Sequence, residues 1–139
     1  MIARIQKSMA EKDKGFTLVE LLVVIIIIGI LSAIAIPVFM NQRKKAVDAG
    51  IKSDLRTIAN ELETFYVDKQ TYVGGITGGT GSVTIDGRSI KLSDADTVVA
   101  VVTATANEFN VTGVNTAKGT GTTYQYDSDG CGLSTVTTP

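Results

Sequence analysis

The sequence has no histidine, no tryptophan, one cysteine and two prolines in 139 residues. The lone Cys131 cannot close a disulfide within the chain, so no covalent framework holds the fold. Without histidine, and without a clustered pair of acids, no general acid–base or nucleophilic constellation can be assembled, and an enzyme is not expected. Charge is also scarce. The 13 basic and 14 acidic residues leave a net charge of −1, so there is no electrostatic case for direct nucleic-acid binding.

What is present is uneven. Residues 21–40, Leu21 to Met40, carry no charge at all. Twenty helical residues span about 30 Å, the thickness of a bilayer's hydrocarbon core. Only a helix satisfies its own backbone in lipid, so this run is expected to be a transmembrane helix. Gly29 and Pro37 are its weak points, and a kink is expected near Ala33–Pro37. Ahead of it, residues 1–15 carry Arg4, Lys7, Lys12 and Lys14 against Glu11 and Asp13. That bias favours an N-terminus held inside, although Arg43, Lys44 and Lys45 beyond the run weaken the asymmetry.

Three readings fit this region. One is a plain single-pass anchor. A second is a secretory signal peptide, with Leu21–Leu31 as its apolar region and Ala33-Ile34-Ala35 as its cleavage site. The third is a processing site ahead of the run, at the Gly15–Phe16 junction. Only the third uses Gly15 and Glu20. Gly15 leaves the backbone before the bond unobstructed by a Cβ. Glu20 is an acid at the head of an apolar run, which is costly in lipid and calls for a partner.

The stretch Lys14-Gly15-Phe16-Thr17-Leu18-Val19-Glu20-Leu21 resembles the processing signature of the type IV pilins and the related pseudopilins of type II secretion and competence systems. The resemblance runs from Lys14 to about Tyr72 and is most specific at its start. It implies that a prepilin peptidase cuts after Gly15 and that Phe16 becomes the N-methylated first residue. It makes Glu20 the family's assembly acid, and Pro37 the proline near which the helix loosens in filaments. It further implies a homo-oligomer in a helical filament, served by a membrane platform protein and an assembly ATPase. The precursor would be a single-pass protein of the cytoplasmic (inner) membrane, N-terminus inside and in contact with lipid, and later part of an extracellular pilus or a pseudopilus.

Beyond Met40 the pattern changes without a stop signal. Val47, Ile51, Leu55, Ile58, Leu62, Phe65 and Tyr66 recur at steps of three and four, the apolar stripe of a helix. Lys44, Lys45, Asp48, Lys52, Asp54, Arg56, Glu61 and Glu63 are assigned to its solvated side. Helical periodicity outweighs the cost of Gly50, about 1 kcal/mol. One helix is predicted from about Thr17 to about Asp68. The remaining residues are rich in Thr, Gly, Ser and Val, a β-type composition.

Tyr72–Gly81 is expected as a glycine-rich loop. In Ser82–Leu92, Asp86-Gly87 is the favoured two-residue hairpin turn, pairing Ile85 with Arg88 and Val83 with Ile90. Further strands are predicted at Thr97–Ala106, Glu108–Thr112, Thr122–Asp127 and Leu133–Thr137, with Gly113–Gly121 as a separator. The fold class is α+β: a long helix packed on an antiparallel meander of four to six strands. The expected divisions are a leader at 1–15, an assembly helix at 16–40, an amphipathic helix at 41–70 and a sheet head at 71–139.

Asp127-Ser128-Asp129-Gly130 reads as a β-turn. Asp127 and Asp129 are weak candidates for Ca²⁺, since the other ligands of an EF-hand loop are absent, and no cofactor is expected. Asn110-Val111-Thr112 matches a glycosylation sequon by pattern alone, and Cys131 is expected as a small buried or partly buried side chain rather than a reactive thiol. The function this supports is a structural, major-pilin-like subunit of a type IV pilus, with a major pseudopilin as the alternative. A monomeric membrane-anchored binding domain is the reading from another class, and it would need neither Gly15 nor Glu20.

Overall fold

The computed structural model describes residues 15–130 and 132–136. The leader up to residue 14, Cys131 and the Thr137 end of the last predicted strand lie outside the described residues. Two compact units divide the chain, Met1–Phe39 and Met40–Pro139.

Helix α1 runs from Leu18 to Lys69, within a residue of its predicted ends, and continues through Gly29 and Pro37 without interruption. It stops where Gln70 enters the left-handed region, at φ 55°, and the Gln70 N–H closes the last turn on Tyr66 O at 2.7 Å.

In the second unit the α1 stripe is the core. Ile51, Leu55, Ile58 and Leu62 are fully buried against Val83, Ile85, Val99, Phe109, Val111 and Tyr124. Each aliphatic side chain buried in this way stabilises the fold by about 1.5–3 kcal/mol. Phe109 anchors the aromatic part of this core. Its ring lies 4.9 Å from Tyr72 and 5.9 Å from Tyr126, centroid to centroid.

Among the described residues eight strands, all paired antiparallel, are arranged in two sheets rather than the single meander expected. The first sheet holds β1 (Ile76–Thr77), β3 (Ser82–Ile85) and β4 (Arg88–Lys91), in the order β1-β3-β4. The second holds β2 (Gly79–Thr80), β5 (Val98–Ala104), β6 (Phe109–Val114), β7 (Tyr124–Asp127) and β8 (Gly132–Thr135), in the order β2-β5-β6-β7-β8. The β5-to-β8 part is a meander; the β3–β4 hairpin sits apart from it.

The handover happens in the segment expected as a loop. Residues 76–77 pair with β3 and residues 79–80 pair with β5. Glycine here serves close backbone approach rather than looseness. A Cβ on Gly78 would stand 2.5 Å from Val99 O, and one on Gly79 would stand 2.5 Å from Ser82 O.

The β3–β4 hairpin has the predicted register, Ile85 with Arg88 and Val83 with Ile90. Asp86 and Gly87 have φ of 47° and 76°, the two positive values that a type I′ turn requires.

Gly113 belongs to β6 and is not part of a separator. A Cβ there would meet Ile51 Cγ2 at 2.9 Å, so glycine is what lets the sheet approach the helix.

Asp48 and Asp54 are also placed otherwise than expected. Both are buried, at 5% and 9% exposure. They stand beside Ile51, Leu55 and Ile58 on the covered face, and each is held by donors from the head.

Candidate functional site

Residues 15–20 form the N-terminal part of the site. Gly15 is exposed, is not in a helix or strand, and has open space where a Cβ would be. Phe16, on the other side of the Gly15–Phe16 bond, is 84% exposed. The junction is thus accessible on both sides.

Thr17 and Glu20 then make a reciprocal cap for α1. Glu20 Oε2 accepts from the Thr17 N–H at 2.8 Å and from Thr17 Oγ1 at 2.9 Å, while the Glu20 N–H donates to Thr17 Oγ1 at 3.2 Å. This is the Thr-x-x-Glu capping box, which satisfies two otherwise orphaned donors at a helix start. Its sequence signal, Thr17-Leu18-Val19-Glu20, stands immediately before the apolar run, and Thr17 was not among the expected site residues. Phe16 N is an amide here, and Glu20 is held by Thr17 within its own first turn.

Pro37 lies in the interior of α1, some five turns beyond Glu20, and shares no contact with it. At the Glu20 end, the recess beside Phe16, Val19, Glu20 and Val23 is bare helix face rather than an enclosed cavity. The large apolar side chains of residues 16–40 are exposed, from Met40 at 46% to Phe16 at 84%. This α1 segment is long and apolar enough to cross a membrane.

The head is fixed to the other half of α1 by buried polar contacts. Asp48 Oδ1 accepts from the Thr120 N–H at 3.1 Å, and Oδ2 accepts from Thr120 Oγ1 at 2.5 Å and Tyr124 Oη at 3.1 Å. Asp54 accepts from the Ser93 N–H at 2.9 Å and from Ser93 Oγ at 2.6 Å. Burial, and then the Asp48 carboxylate, push the Tyr124 phenol up. Burial and the hydrogen bond to Glu63 push Tyr72 up to about 12.

Lys118 pairs with Asp96 at 2.8 Å and Asp94 at 3.2 Å. These bonds, Asp96 first, push its ammonium up. The Asp96 N–H, followed by Lys118 and Asn115, holds the Asp94 carboxyl below its ordinary value, against a smaller opposing effect of burial.

Asp127 and Asp129 are placed by the turn that joins β7 to β8. Asp127 Oδ1 accepts from the Asp129 N–H at 3.1 Å, and Asp127 Oδ2 from Asn110 Nδ2 at 3.4 Å. Asn110, the sequon residue, is half-buried in β6 with its Oδ1 unpartnered. Among the described residues no group of three or more acids stands close enough to hold a metal ion.

Residues 12–36 match the family model described as the prokaryotic N-terminal methylation motif. The chain is 32% identical over 96 residues to the type IV wide pilus major component PilA4 of Thermus thermophilus, covering 69% of each chain. It is 35% identical over 113 residues to a fimbrial protein of Moraxella nonliquefaciens, covering 74% of this chain and 70% of that one. It is 37% identical over 62 residues to the type II secretion system core protein G of Escherichia coli, a match spanning 45% of this chain and 43% of that protein. The cap, the bare apolar helix, the sheets folded on its second half and these likenesses together place the chain in the family of type IV pilins and type II secretion pseudopilins, to which it belongs.

Proposed function

We propose that this chain is the structural subunit of a type IV pilus. It is made as a single-pass precursor of the inner membrane, N-terminus inside. A prepilin peptidase cuts it between Gly15 and Phe16, Phe16 is N-methylated, and the chain polymerises through residues 16–40 into a helical homo-oligomer. A platform protein and an assembly ATPase drive the step, because a helix moving from lipid into a bundle of like helices gains little hydrophobic free energy.

One observation carries this reading. The segment from Phe16 to Met40 exposes its large apolar side chains all round and bears a single acid, Glu20. Such a helix needs lipid or copies of itself as cover. Glu20 is the exception that gives the bundle a register. Cleavage makes Phe16 N a cation one helical turn away, and Glu20 exchanges its Thr17 donors for the Phe16 amine of a neighbouring subunit. A partnered acid is tolerated in lipid where a lone one is not.

Electron microscopy of surface-sheared material tests the proposal, with the expected result being long filaments built of this chain. The identity to a secretion core protein supports a second reading, a pseudopilus. In that case deletion abolishes protein secretion and the sheared fraction contains no filaments of this subunit.

A further inference from the structure

A second set of charges lies just past the apolar run. Arg43, Lys44 and Lys45 follow Met40 within five residues on α1, and all three are exposed. Among the described residues none of them takes part in an ion pair, whereas Lys118, Arg88, Asp94, Asp96 and Glu61 do. Next to them is a recess of about 120 Å³ lined by Met40, Arg43, Lys44, Ala117 and Lys118. Its wall is apolar at Met40 and Ala117, and cationic at Arg43, Lys44 and Lys118.

The neighbouring acids are already engaged by donors from the head. Asp48, the acid nearest along the helix, is buried and takes three hydrogen bonds from Thr120 and Tyr124. Asp94 and Asp96 are engaged by Lys118, so Lys118 is a shared donor, and among the described residues Arg43 and Lys44 are the cations of the recess outside any ion pair.

We propose that this recess takes the phosphate of an acidic phospholipid headgroup while the chain resides in the membrane. The proposal rests on the membrane residence argued above and adds a lipid specificity to it. Position selects the occupant. The recess begins at the last residue of the apolar run, and along one helix Arg43 is only about 5 Å beyond Met40, the depth of the headgroup layer. The chemistry fits as well. Arg43 offers a forked set of donors to a phosphate, Lys44 a mobile point charge, and Met40 with Ala117 a surface for the glycerol and first methylenes. A subunit entering a filament gives up this headgroup, so Arg43 and Lys44 tie release from the bilayer to the charge of the lipid.

The test uses the full chain inserted in vesicles of phosphatidylcholine carrying a minor fraction of spin-labelled phosphatidylglycerol or spin-labelled phosphatidylcholine. Resistance to alkaline extraction is verified first for every variant, so that a failure of membrane insertion is separated from a failure of lipid selectivity. At about fivefold per basic side chain near the surface, before screening, the chain should prefer the anionic label by about fivefold or more. The triple variant Arg43→Gln, Lys44→Gln, Lys45→Gln should fall to within about twofold of no preference, and Arg56→Gln should keep the full preference. A free phosphate site would lose its preference to inorganic phosphate far more readily than to chloride of matched ionic strength; the lipid site responds equally to both. Equal binding of the two labels by the native chain, retention of the preference by the triple variant, or selective displacement by inorganic phosphate would each overturn the proposal.

Discussion

Replacing Asp48 by alanine removes the main polar tie between α1 and the end of the head that carries Thr120 and Tyr124. The wild-type carboxylate accepts three hydrogen bonds, and it is 5% exposed while Tyr124 is 6% exposed. The Tyr124 bond is the costly one to lose, since the phenol stays buried without its acceptor, at about 1.5–3 kcal/mol for a bond to a charged group. Thr120 is exposed, and water replaces most of what its two donors lose, leaving about 0.5–1 kcal/mol. The sum is about 2–4 kcal/mol, a large share of the 5–15 kcal/mol typical of a domain. Asp48→Asn keeps one carbonyl acceptor and should lose about 1–2 kcal/mol. The assay is urea unfolding of the full chain in a non-ionic detergent, read by tyrosine fluorescence. There is no tryptophan, and all four tyrosines, Tyr66, Tyr72, Tyr124 and Tyr126, lie in the second unit, so the signal reports the head. An Asp48→Ala variant within about 0.5 kcal/mol of wild type, the range of a neutral surface substitution, would refute the anchoring role.

Gly113→Ala should destabilise by about 1–3 kcal/mol through overpacking on Ile51, and Ile51→Ala in the same chain should recover part of the loss; additive effects in that double-mutant cycle would mean the two residues do not meet. Tyr72 binds its proton more tightly when folded, so its contribution is complete below the ordinary phenol value and is lost as pH rises from there toward about 12. Tyr72→Phe should therefore flatten the alkaline end of the stability profile, and an unchanged alkaline limb in that variant contradicts the assignment. Glu20→Ala should leave the protein in the membrane and remove it from the sheared surface fraction, with filaments at wild-type yield being the opposing result.

The sequence makes some of this molecule easy to read, for physical reasons. The β3–β4 hairpin is legible because Asp86-Gly87 fixes the turn and alternation fixes the faces, so register has one solution. The α1 stripe is legible because Ile51, Leu55, Ile58 and Leu62 repeat at helical spacing. Asp48 and Asp54 share that spacing, three residues before Ile51 and four before Ile58 respectively, and their charge argued for solvent. Their partners, Thr120 and Ser93, are 72 and 39 residues away, and hydrogen bonds of that range leave no local trace. The division into two sheets was hidden in Gly74–Gly81 for a related reason. Glycine is demanded there by close backbone approach, and its composition is the same as that of a loop. At the N-terminus the Thr17–Glu20 box is written in the sequence as Thr-x-x-Glu directly before the apolar run.

The central claim is that Gly15, Phe16 and Glu20 make a polymerising subunit of what would otherwise be a tethered one. Mass spectrometry of the N-terminal peptide, taken from the subunit of purified surface filaments, tests it most directly. The account predicts a chain beginning at Phe16 and carrying one methyl group on its amine. A filament subunit that begins at Ile36, or one that retains the Gly15–Phe16 bond, would contradict it.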